Sequence, residues 1–457
     1  MREAILVLVV LALAGLAVFR PVFGLYAYIW FALMRPDYFA WAVGNFPFSG
    51  VLAGATLFGS ILKVVNFPVI FKDFSSLLLL AYQIPITCSV VLSVAPYLTY
   101  YHYTEFERIT LMVLLIPVLV QTERELHGLF LIIALSQGMV GLKFGLFGLR
   151  QGGVHLFEGY AGLDNNGLAL AVVMVLPFCW YMRQKVDSKW LKALLLAMVF
   201  SIITAVIMTE SRNGALALVT VMLMIAWRSR YKVPVLLMFT LLAVPALMLF
   251  QNQFVARMST LENASADSSA YSRWILSRVA FRMWQDHPIF GVGFGNEVFM
   301  LLERPYIPDE YQAITQDLKA HNTYLQILAD SGIFAFVIFV VLLFSTIFRL
   351  GASSRYWKKR NNPALRVYPM ALQCSLIAIA QYGIAGGRER YDFLYIVLMC
   401  GTAWFNLDKK LRADSQSAQP IGLAGTPAIP TAAPVHPWAQ RPSPVGSRAI
   451  FPARLRG

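Results

Sequence analysis

The stretch WLKALLLAMVFSIITAVIMTESRNGALALVTVMLMIAWR, at positions 190–228, decides the fold. It contains two apolar runs, 190–209 and 213–228, joined by the short polar turn TESRN at 209–213. A helix needs about 20 predominantly apolar residues to cross the hydrocarbon core of a bilayer. The stretch therefore predicts two adjacent membrane-spanning helices with a polar turn at one membrane surface.

The composition of the whole chain extends this pattern. Hydrophobic residues make up 58% of the 457 residues and charged residues only 14%, against roughly 25% charged residues in a soluble domain. A soluble core cannot bury this much apolar surface. The formal net charge is +14, but most Lys and Arg residues lie in short clusters between apolar runs, which indicates membrane topology rather than nucleic-acid binding.

Apolar segments that can span a membrane follow one another along the chain. They cover 4–19, 21–34, 49–62, 74–98, 109–121, 127–148, 165–182, 190–209, 213–228, 233–250, 322–348, 367–385 and 391–407. Only Arg20 and Pro21 separate the first two. We therefore expect an all-α integral membrane protein of about 12 transmembrane helices, with one early segment re-entrant or merged.

The connections divide the chain further. We interpret 1–412 as one polytopic transmembrane domain and 251–321 as a long extracytoplasmic loop, or cap, within it. The loop has a helical pattern around 273–284, so we expect short helices there. The segment 413–457 is rich in Pro, Ala, Ser and Gly, which predicts a disordered tail.

Basic clusters predict the orientation. They lie at 183–192, 228–232, 349–366 and 409–412 and alternate with four other connections. The positive-inside rule places the basic set and the C-terminus in the cytoplasm. The opposite side then holds 159–166, 209–213, 251–321 and 386–392, which carry the Gly, Asn, His and isolated Arg residues typical of a functional site. The side of the N-terminus stays open.

His321 is the candidate for a general base. It begins the segment AHNTYLQILADSGIF at 320–334, where the cap returns to the membrane. A histidine at the membrane edge can titrate near neutral pH and accept a proton. Asn322 beside it can cap the helix or orient the imidazole ring. On position alone, a histidine that only caps or anchors the helix end is the simpler interpretation.

Arginines occur at three other places on the same predicted side. Arg212 lies in the turn at 209–213, Arg273 in the helical pattern of the cap, and Arg388 in the turn GGRERYD at 386–392. The planar guanidinium group suits phosphate oxygens. Three arginines and one base on one side of a bilayer suit recognition of an anionic diphosphate together with proton abstraction.

Each arginine also has a simpler interpretation. Arg212 can be a snorkelling anchor or a partner of Glu210, and the helix of Arg273 can lie flat on the membrane surface. Arg388 or Arg390 can pair with Glu389 or Asp392 in a glycine turn. No acidic cluster with metal-ligand spacing is visible. We therefore expect catalysis with neither a metal nor another cofactor, in which arginine stabilises the developing charge.

Two glycine-containing motifs complete the set. LDNNG at 163–167 is typical of the start of a helix with an asparagine cap, which makes Asn165 a supporting residue. GVGFG at 291–295 lacks the preceding strand and following acidic residue of a dinucleotide-binding motif. We interpret it as a flexible turn.

Four of these stretches resemble one family. LDNNGLALAVVMVLP (163–177), ESRNGALALV (210–219), SRWILSRVAFRMWQDHPIFGVGFGNE (272–297) and AHNTYLQILADSGIFAFVIF (320–339) are similar to the O-antigen ligase and polymerase superfamily. The resemblance covers about 159 to 392, and the block DHP-x-x-GVGFG followed by HN-x-x-L-x-x-L-x-x-x-G is fairly specific. The first half more weakly resembles the exosortase-A-associated O-glycosylation ligases.

The resemblance implies a GT-C-type glycosyltransferase of the bacterial inner membrane with its active site facing the periplasm. It would move a glycan from an undecaprenyl diphosphate carrier to an acceptor hydroxyl, which in the ligase branch belongs to the lipid A–core of lipopolysaccharide. The implied partners are the carrier-linked glycan, the lipid A–core and membrane lipids, without nucleic acid. Direct displacement would invert the anomeric carbon.

The family's functional residues are carried over by motif. Its catalytic histidine falls on His321, and its donor-binding arginines fall on Arg212 and Arg273. A later polar residue near the final spans falls, more loosely, on Arg388 or Asp392.

Three other activities compete with the ligase. An O-antigen polymerase uses the same donor and a second carrier-linked glycan as acceptor, and a protein O-oligosaccharyltransferase transfers to Ser or Thr. The length of the loop at 251–321 and the absence of a large extra periplasmic domain favour the ligase. A transporter would show repeat symmetry and ionisable residues at mid-membrane, whereas these arginines fall at segment ends.

Overall fold

The computed structural model describes residues 2–39, 46–151, 161, 163–249, 268–315 and 318–417. The chain in these ranges folds into helices joined by turns. The α-helices are α1 (Arg2–Phe19), α2 (Pro21–Met34), α3 (Phe48–Leu62), α4 (Phe74–Val91), α5 (Pro96–Leu119), α6 (Glu123–Gln151), α7 (Asn165–Met182), α8 (Lys189–Met208), α9 (Arg212–Arg228), α10 (Lys232–Leu249), α11 (Ser268–Asp286), α12 (Asn296–Leu302), α13 (Gln312–Thr315), α14 (Thr323–Lys359), α15 (Pro363–Tyr382) and α16 (Asp392–Ser417). Short 3-10 helices cover Pro36–Phe39, Phe67–Lys72, Arg304–Tyr306 and Asp309–Tyr311.

The predicted all-α membrane architecture is confirmed. Every predicted apolar segment overlaps a helix of 14 or more residues. In the described residues, seven helices are long and apolar enough to cross a membrane: α1, α4, α6, α7, α8, α14 and α15. The shorter apolar helices are α2, α3 and the first part of α10. Which of the other helices cross completely stays a prediction.

Helix α5 begins at Pro96, well before the predicted start at 109. Its first turns carry the polar sequence YLTYYHYTEFER, which lowered the hydropathy that the prediction used. Proline at the first helical position favours a helix start, because its ring fixes φ and its missing N–H would have had no helical partner. These polar turns line the candidate site.

Two helices run further than predicted at their C-terminal ends. Helix α14 continues past 348 to Lys359, and α16 continues to Ser417. The predicted tail at 413–457 therefore begins inside a helix. Its remainder, from 418 onwards, lies outside the described residues, so its predicted disorder stays a prediction.

Helix α7 is the centre of the bundle. Every residue from Gly167 to Met182 is buried, as a helix that is apolar on all sides requires. Helices α6, α8, α9 and α15 pack around it. The first turn of α7, which carries part of the candidate site, is therefore held from several sides.

One end of the bundle, here called the basic end, collects the predicted basic clusters. Lys185 forms an ion pair of 2.7 Å with Glu123, and Arg349 forms one with Asp73. The first pair joins the connections after α5 and α7, and the second joins the connection after α3 to the C-terminal part of α14. The predicted clusters at 228–232 and 349–366 line one cavity, and the assignment of this end to the cytoplasm stays a prediction.

The described part of the cap, 268–315, is helical and has its own small core. Leu276, Val279 and Met283 on α11 are buried against Val298 and Phe299 on α12. This confirms the predicted helix around 273–284. Because α11 buries this face in protein, only its other face is free to meet the membrane surface, and that alternative stays a prediction.

The glycine-rich stretch at 287–295 is bound to α14, which differs from the flexible turn expected. The Val292 N–H donates to the Ala329 carbonyl (2.9 Å) and the Gly293 N–H to the Asp330 carbonyl (3.0 Å). At Gly332 the backbone of α14 leaves helical geometry with φ +77°, a conformation that glycine adopts without steric cost. The turn thus links the cap to the first turns of α14.

Candidate functional site

The loop at 383–391, between α15 and α16, is the element around which the candidate site is assembled. The Thr323 N–H donates to the carbonyls of Gly383 (2.8 Å) and Gly386 (3.1 Å). Its hydroxyl donates to the Gly386 carbonyl (2.7 Å) and accepts from the Arg388 N–H (3.0 Å). The start of α14 therefore fixes the backbone that carries Arg388.

Asn322 is the N-cap of α14. Its side-chain oxygen accepts from the N–H groups of Tyr324 and Leu325, both at 3.0 Å. Its amide nitrogen donates to the Ile384 carbonyl (2.9 Å). Of the two roles considered from the sequence, capping is the one observed, and the residue also holds the loop at 383–391.

Arg388 forms an ion pair with Asp164, the N-cap of α7. The pairing predicted between an arginine and an acid of the same turn forms at the next arginine, where Arg390 lies 3.7 Å from Glu389. Burial alone would raise the pKa of the Asp164 carboxyl. The charge of Arg388 and the N–H of Gly167, which donates to Asp164 at 2.7 Å, outweigh burial and hold this pKa below its usual value.

His321 lies between the cap and α14 with a left-handed backbone, φ +49°. Burial, together with the positive charges of Arg273 and Lys319, lowers the pKa of its imidazole to about 4. Arg388 acts in the same direction and Asp164 opposes it. The imidazole is therefore neutral at neutral pH, with a nitrogen lone pair available to accept a proton.

Arg273 reaches the same loop from α11. Its Nη1 donates to the Ala385 carbonyl at 3.4 Å, and its charge acts on His321. The structure thus brings Arg273, Arg388 and His321 together, although they come from three separate parts of the chain. This grouping was expected from the sequence only as a shared side of the membrane.

Arg212 is the first residue of α9, next to the same loop. Its neighbour Ser211 caps α9 and donates to the Asn166 side chain (2.6 Å). Asn213 donates to the Tyr382 carbonyl at the end of α15 (2.7 Å). Arg212 therefore lies where the first turns of α7 and α9 meet the C-terminal end of α15.

Asn165 makes hydrogen bonds that connect two helices. Its side-chain nitrogen donates to the Thr209 carbonyl (3.1 Å) and its oxygen accepts from the Asn166 N–H (2.9 Å). It joins the start of α7 to the end of α8. The helix cap predicted for this motif is one residue earlier, because Asp164 and not Asn165 accepts from the first turn.

A cavity of about 540 Å³ adjoins the loop at 383–391. Its lining includes five cationic and three acidic side chains: Arg35, Arg108, Lys319, Arg388 and Arg390, against Glu105, Glu389 and Asp392. Asp392, predicted as a supporting residue, contributes to this wall from the first position of α16. The excess of positive charge suits a ligand with negative charge.

The first half of the chain also contributes to this cavity, which its apolar pattern did not predict. Arg35 follows α2 and is held by Asp37 through two hydrogen bonds, 2.9 and 3.2 Å. Arg108 and His102 come from the polar first turns of α5. The signal that could have found them is the run of polar residues directly before an apolar segment.

His102 belongs to a second charged group in the cavity wall. Its Nε2 lies 2.5 Å from Glu297 on α12, and Arg390 lies 3.6 Å from the same carboxylate. Burial alone would raise the pKa of Glu297, but the hydrogen bond from His102 and the charge of Arg390 lower it to about 2. This group fastens the cap to α5 and to the loop at 383–391.

Within the described ranges, no group of three or more His, Cys, Asp or Glu side chains is placed to hold a metal ion. The charged groups that face the cavity are mostly guanidinium groups and isolated carboxylates. Their chemistry suits binding of a phosphate group and stabilisation of negative charge.

Comparison with known families covers most of the chain in two parts. Residues 197–340 match the model of a family described as O-Antigen ligase. Residues 1–187 match the model of a family of unknown function, DUF5935. A search of curated proteins finds no match to the chain. The first match includes Arg212, Arg273 and His321, and the second includes Asp164 and the first-half residues of the cavity.

Proposed function

We propose, from the premise that this chain is a member of the O-antigen ligase superfamily, that it transfers a glycan from undecaprenyl diphosphate-linked O-antigen to a hydroxyl of lipid A–core. The reaction takes place at the periplasmic face of the bacterial inner membrane. It inverts the anomeric carbon and requires no metal. The observation that carries the proposal is a neutral imidazole, His321, among Arg273, Arg388 and Lys319.

The arginines bind the diphosphate of the donor. Arg388 belongs to the loop at 383–391, Arg273 donates to its backbone, and Arg212 begins α9, whose next residue donates to the residue before the loop. Guanidinium groups donate two parallel hydrogen bonds to phosphate oxygens. Because these groups are held in place before the donor binds, they stabilise the charge that develops on the leaving diphosphate without further reorganisation.

His321 accepts the proton of the acceptor hydroxyl. The hydroxyl oxygen forms a bond to the anomeric carbon, the bond from that carbon to the diphosphate oxygen breaks, and the electron pair leaves with undecaprenyl diphosphate. The proton passes to the imidazole. Attack from the face opposite the leaving group inverts the anomeric carbon in one step.

The low pKa of His321 fits this role only when the donor is present. A general base works best when its pKa lies near the working pH, and a pKa of about 4 lies far below it. Part of the lowering comes from the nearby cations. The negative diphosphate offsets their charge, so donor binding raises the pKa of His321 and makes it a better base.

The cavity next to the loop at 383–391 holds the reacting sugars. Its five cationic side chains suit both the donor diphosphate and the phosphate groups of an anionic acceptor. Arg35 and Arg108 line it and come from the first half of the chain, whereas Arg212 and Arg273 come from the second half. We assign them to the acceptor.

The test is a reconstituted transfer assay. Purified protein, a prenyl diphosphate-linked glycan and lipid A–core are incubated together, and the glycan on lipid A–core is measured on gels. We expect transfer by the wild-type protein and loss of transfer by His321→Asn. His127→Asn makes the same substitution on α6, near the basic end and outside the lining of the cavity, and serves as the matched control.

The choice of acceptor separates this function from its relatives. A second carrier-linked glycan in place of lipid A–core tests an O-antigen polymerase, and a Ser- or Thr-containing peptide tests a protein O-oligosaccharyltransferase. Transfer to either of these alone would replace the ligase proposal by that activity. No transfer to any of the three, with folded protein, would contradict the transferase proposal.

A further inference from the structure

A second cavity, of about 670 Å³, lies at the basic end of the bundle, between the connection from α9 to α10 and the facing parts of α14 and α15. Six cationic side chains line it: Arg228, Arg230, Lys232, Arg355, Lys358 and Arg366. Its lining contains no carboxylate. The candidate active site, in contrast, mixes cations with three acids.

The cations of this basic cavity have no acidic partner among the described residues. In the part of the chain that the structure describes, none of the six forms an ion pair, although ion pairs occur elsewhere at this end. The partners of Arg228 and Arg366 are neutral: Arg228 donates to Gln373 at 2.6 Å and Arg366 to Ser354 at 3.4 Å. The sequence from 418 to 457 contains no Asp or Glu. The six positive charges repel one another, and an anion bound among them would reduce this repulsion.

An apolar groove of about 500 Å³ continues from the basic cavity. The two share Trp227, Arg228 and Lys232 as common walls. Beyond them the groove is lined by apolar residues of α9 and α10 that include Leu223 and Leu236, and these are exposed on the outer surface of the bundle. In a membrane protein such a surface faces lipid chains.

Aromatic and basic residues indicate that the junction between the basic cavity and the apolar groove lies at the depth of the lipid headgroups. The side chain of Trp227 is 76% exposed at the end of α9, and the ammonium of Lys232 lies 4.6 Å from the centre of its ring. Tryptophan concentrates at membrane–water interfaces, because its ring is apolar and its N–H is polar. The basic cavity thus lies at headgroup depth and the groove at chain depth.

From this arrangement we propose that the basic cavity and the adjoining groove bind one anionic phospholipid. The headgroup phosphate lies among the six cations and one acyl chain lies in the groove over Leu223 and Leu236. A free phosphate would use the cavity and leave the groove empty. The positive-inside rule explains basic loops at this end, but it does not require a cavity without acids that opens into an apolar groove.

The test measures lipid binding by native mass spectrometry of the purified full-length chain. Dioleoyl-phosphatidylglycerol and dioleoyl-phosphatidylcholine are added separately at equal concentration. We expect the anionic lipid to bind about tenfold more tightly to the wild-type protein. The variant Arg230→Gln/Arg355→Gln/Lys358→Gln should lose this preference, and its three exposed positions leave the core unchanged.

The matched control removes the same charge at the same end but outside the cavity. Lys189→Gln/Lys192→Gln/Lys359→Gln changes three exposed lysines that do not line it. This variant should keep the preference for the anionic lipid. An equal loss in both triple variants would show diffuse attraction between charges and would overturn the proposal.

Two further arms separate a lipid from a free anion. Leu236→Gln in the groove should weaken binding of the anionic lipid, whereas Leu237→Gln should not, because Leu237 is exposed on the same helix and does not line the groove. Inorganic phosphate in excess should displace little of the bound lipid. Full displacement by phosphate, or equal binding by the Leu236 and Leu237 variants, would exclude the acyl-chain part of the site.

Discussion

Arg388 and Asp164 form an ion pair although 224 residues separate them in the chain. The guanidinium side chain is only 14% exposed, whereas the carboxylate is 44% exposed. Asp164 also caps the N-terminus of the central helix α7. The same carboxylate therefore starts this helix and orients an arginine of the candidate site. The loop at 383–391 is thereby fixed to the helix that is packed most deeply in the bundle.

A double-mutant cycle measures the contribution of this pair to stability. Asp164→Asn keeps an equivalent helix cap and removes the charge, while Arg388→Gln removes the other partner. Because Asp164 is partly exposed, we expect a coupling free energy of about 1–2 kcal/mol in the free energy of unfolding, below the value for a fully buried pair. Equilibrium unfolding in mixed micelles gives the four values. Additive effects would mean that the pair contributes nothing to stability.

The role of His321 is tested best by asparagine. The residue has φ +49°, a left-handed conformation that asparagine adopts more readily than alanine does. His321→Asn therefore removes the base without straining the backbone. We expect kcat to fall by a factor of about 10² to 10⁴, with the thermal unfolding midpoint unchanged. Activity within error of the wild type would reduce His321 to an anchor of the helix end.

The pH profile separates the free enzyme from the enzyme with bound donor. Activity needs the neutral imidazole, so it falls as the pH drops through the pKa of His321. In the free enzyme this pKa is about 4, and kcat/KM should decline there. The donor diphosphate offsets the cations, which raises the pKa, so kcat should decline at higher pH than kcat/KM. If kcat and kcat/KM declined at the same pH, or if kcat/KM declined at the higher pH, this account would be contradicted.

A charge variant provides the control for the pH profile. Arg273 is one of the cations that lower the pKa of His321. Arg273→Gln should therefore move the acidic limb of kcat/KM to higher pH. Arg282→Gln, on the same helix α11, removes the same charge at a residue that does not act on His321 and should leave the limb in place.

Much of the fold was predictable because hydropathy reports directly on burial in a bilayer. The polar beginning of α5 was missed for the same reason, since its first turns line the cavity and carry residues such as His102 and Arg108. A prediction based on apolar runs cannot separate a polar helix turn from a loop. The continuation of α16 past 413 was also hidden, because its last turns are charged.

The site was predictable only in part. The positions of Arg212, Arg273, Arg388 and His321 at segment ends indicated one side of the membrane. Their distances depend on how α7, α9, α11 and α14 meet, which no local pattern contains. The partner of Arg388 illustrates the limit: the sequence offered the acids next to it, whereas the packing of α7 supplied Asp164.

Metal independence is a separate prediction. The residues that the structure describes contain no group of acidic, histidine or cysteine side chains placed to hold a metal, and guanidinium groups are present to stabilise the leaving diphosphate. We expect EDTA-treated protein to transfer glycan at the same rate as untreated protein, measured in the reconstituted assay. Loss of activity with EDTA that added Mg²⁺ restores would show that the arginines do not suffice.

Gly167, in the first turn of α7, gives a prediction that opposes helix propensity. An alanine in a helix is more stable than a glycine by roughly 0.5–1 kcal/mol, so propensity alone predicts that Gly167→Ala stabilises the protein. In this structure a Cβ at position 167 would collide with the guanidinium of Arg388 and lie 2.8 Å from the Asp164 carboxylate. We therefore expect the variant to displace Arg388, to lower glycan transfer and to gain no stability. Gly54→Ala in α3, where no atom lies within 4 Å of the new Cβ, should keep full activity and gain the stability that propensity predicts. Normal transfer by Gly167→Ala would show that the position of Arg388 against α7 does not matter for the reaction.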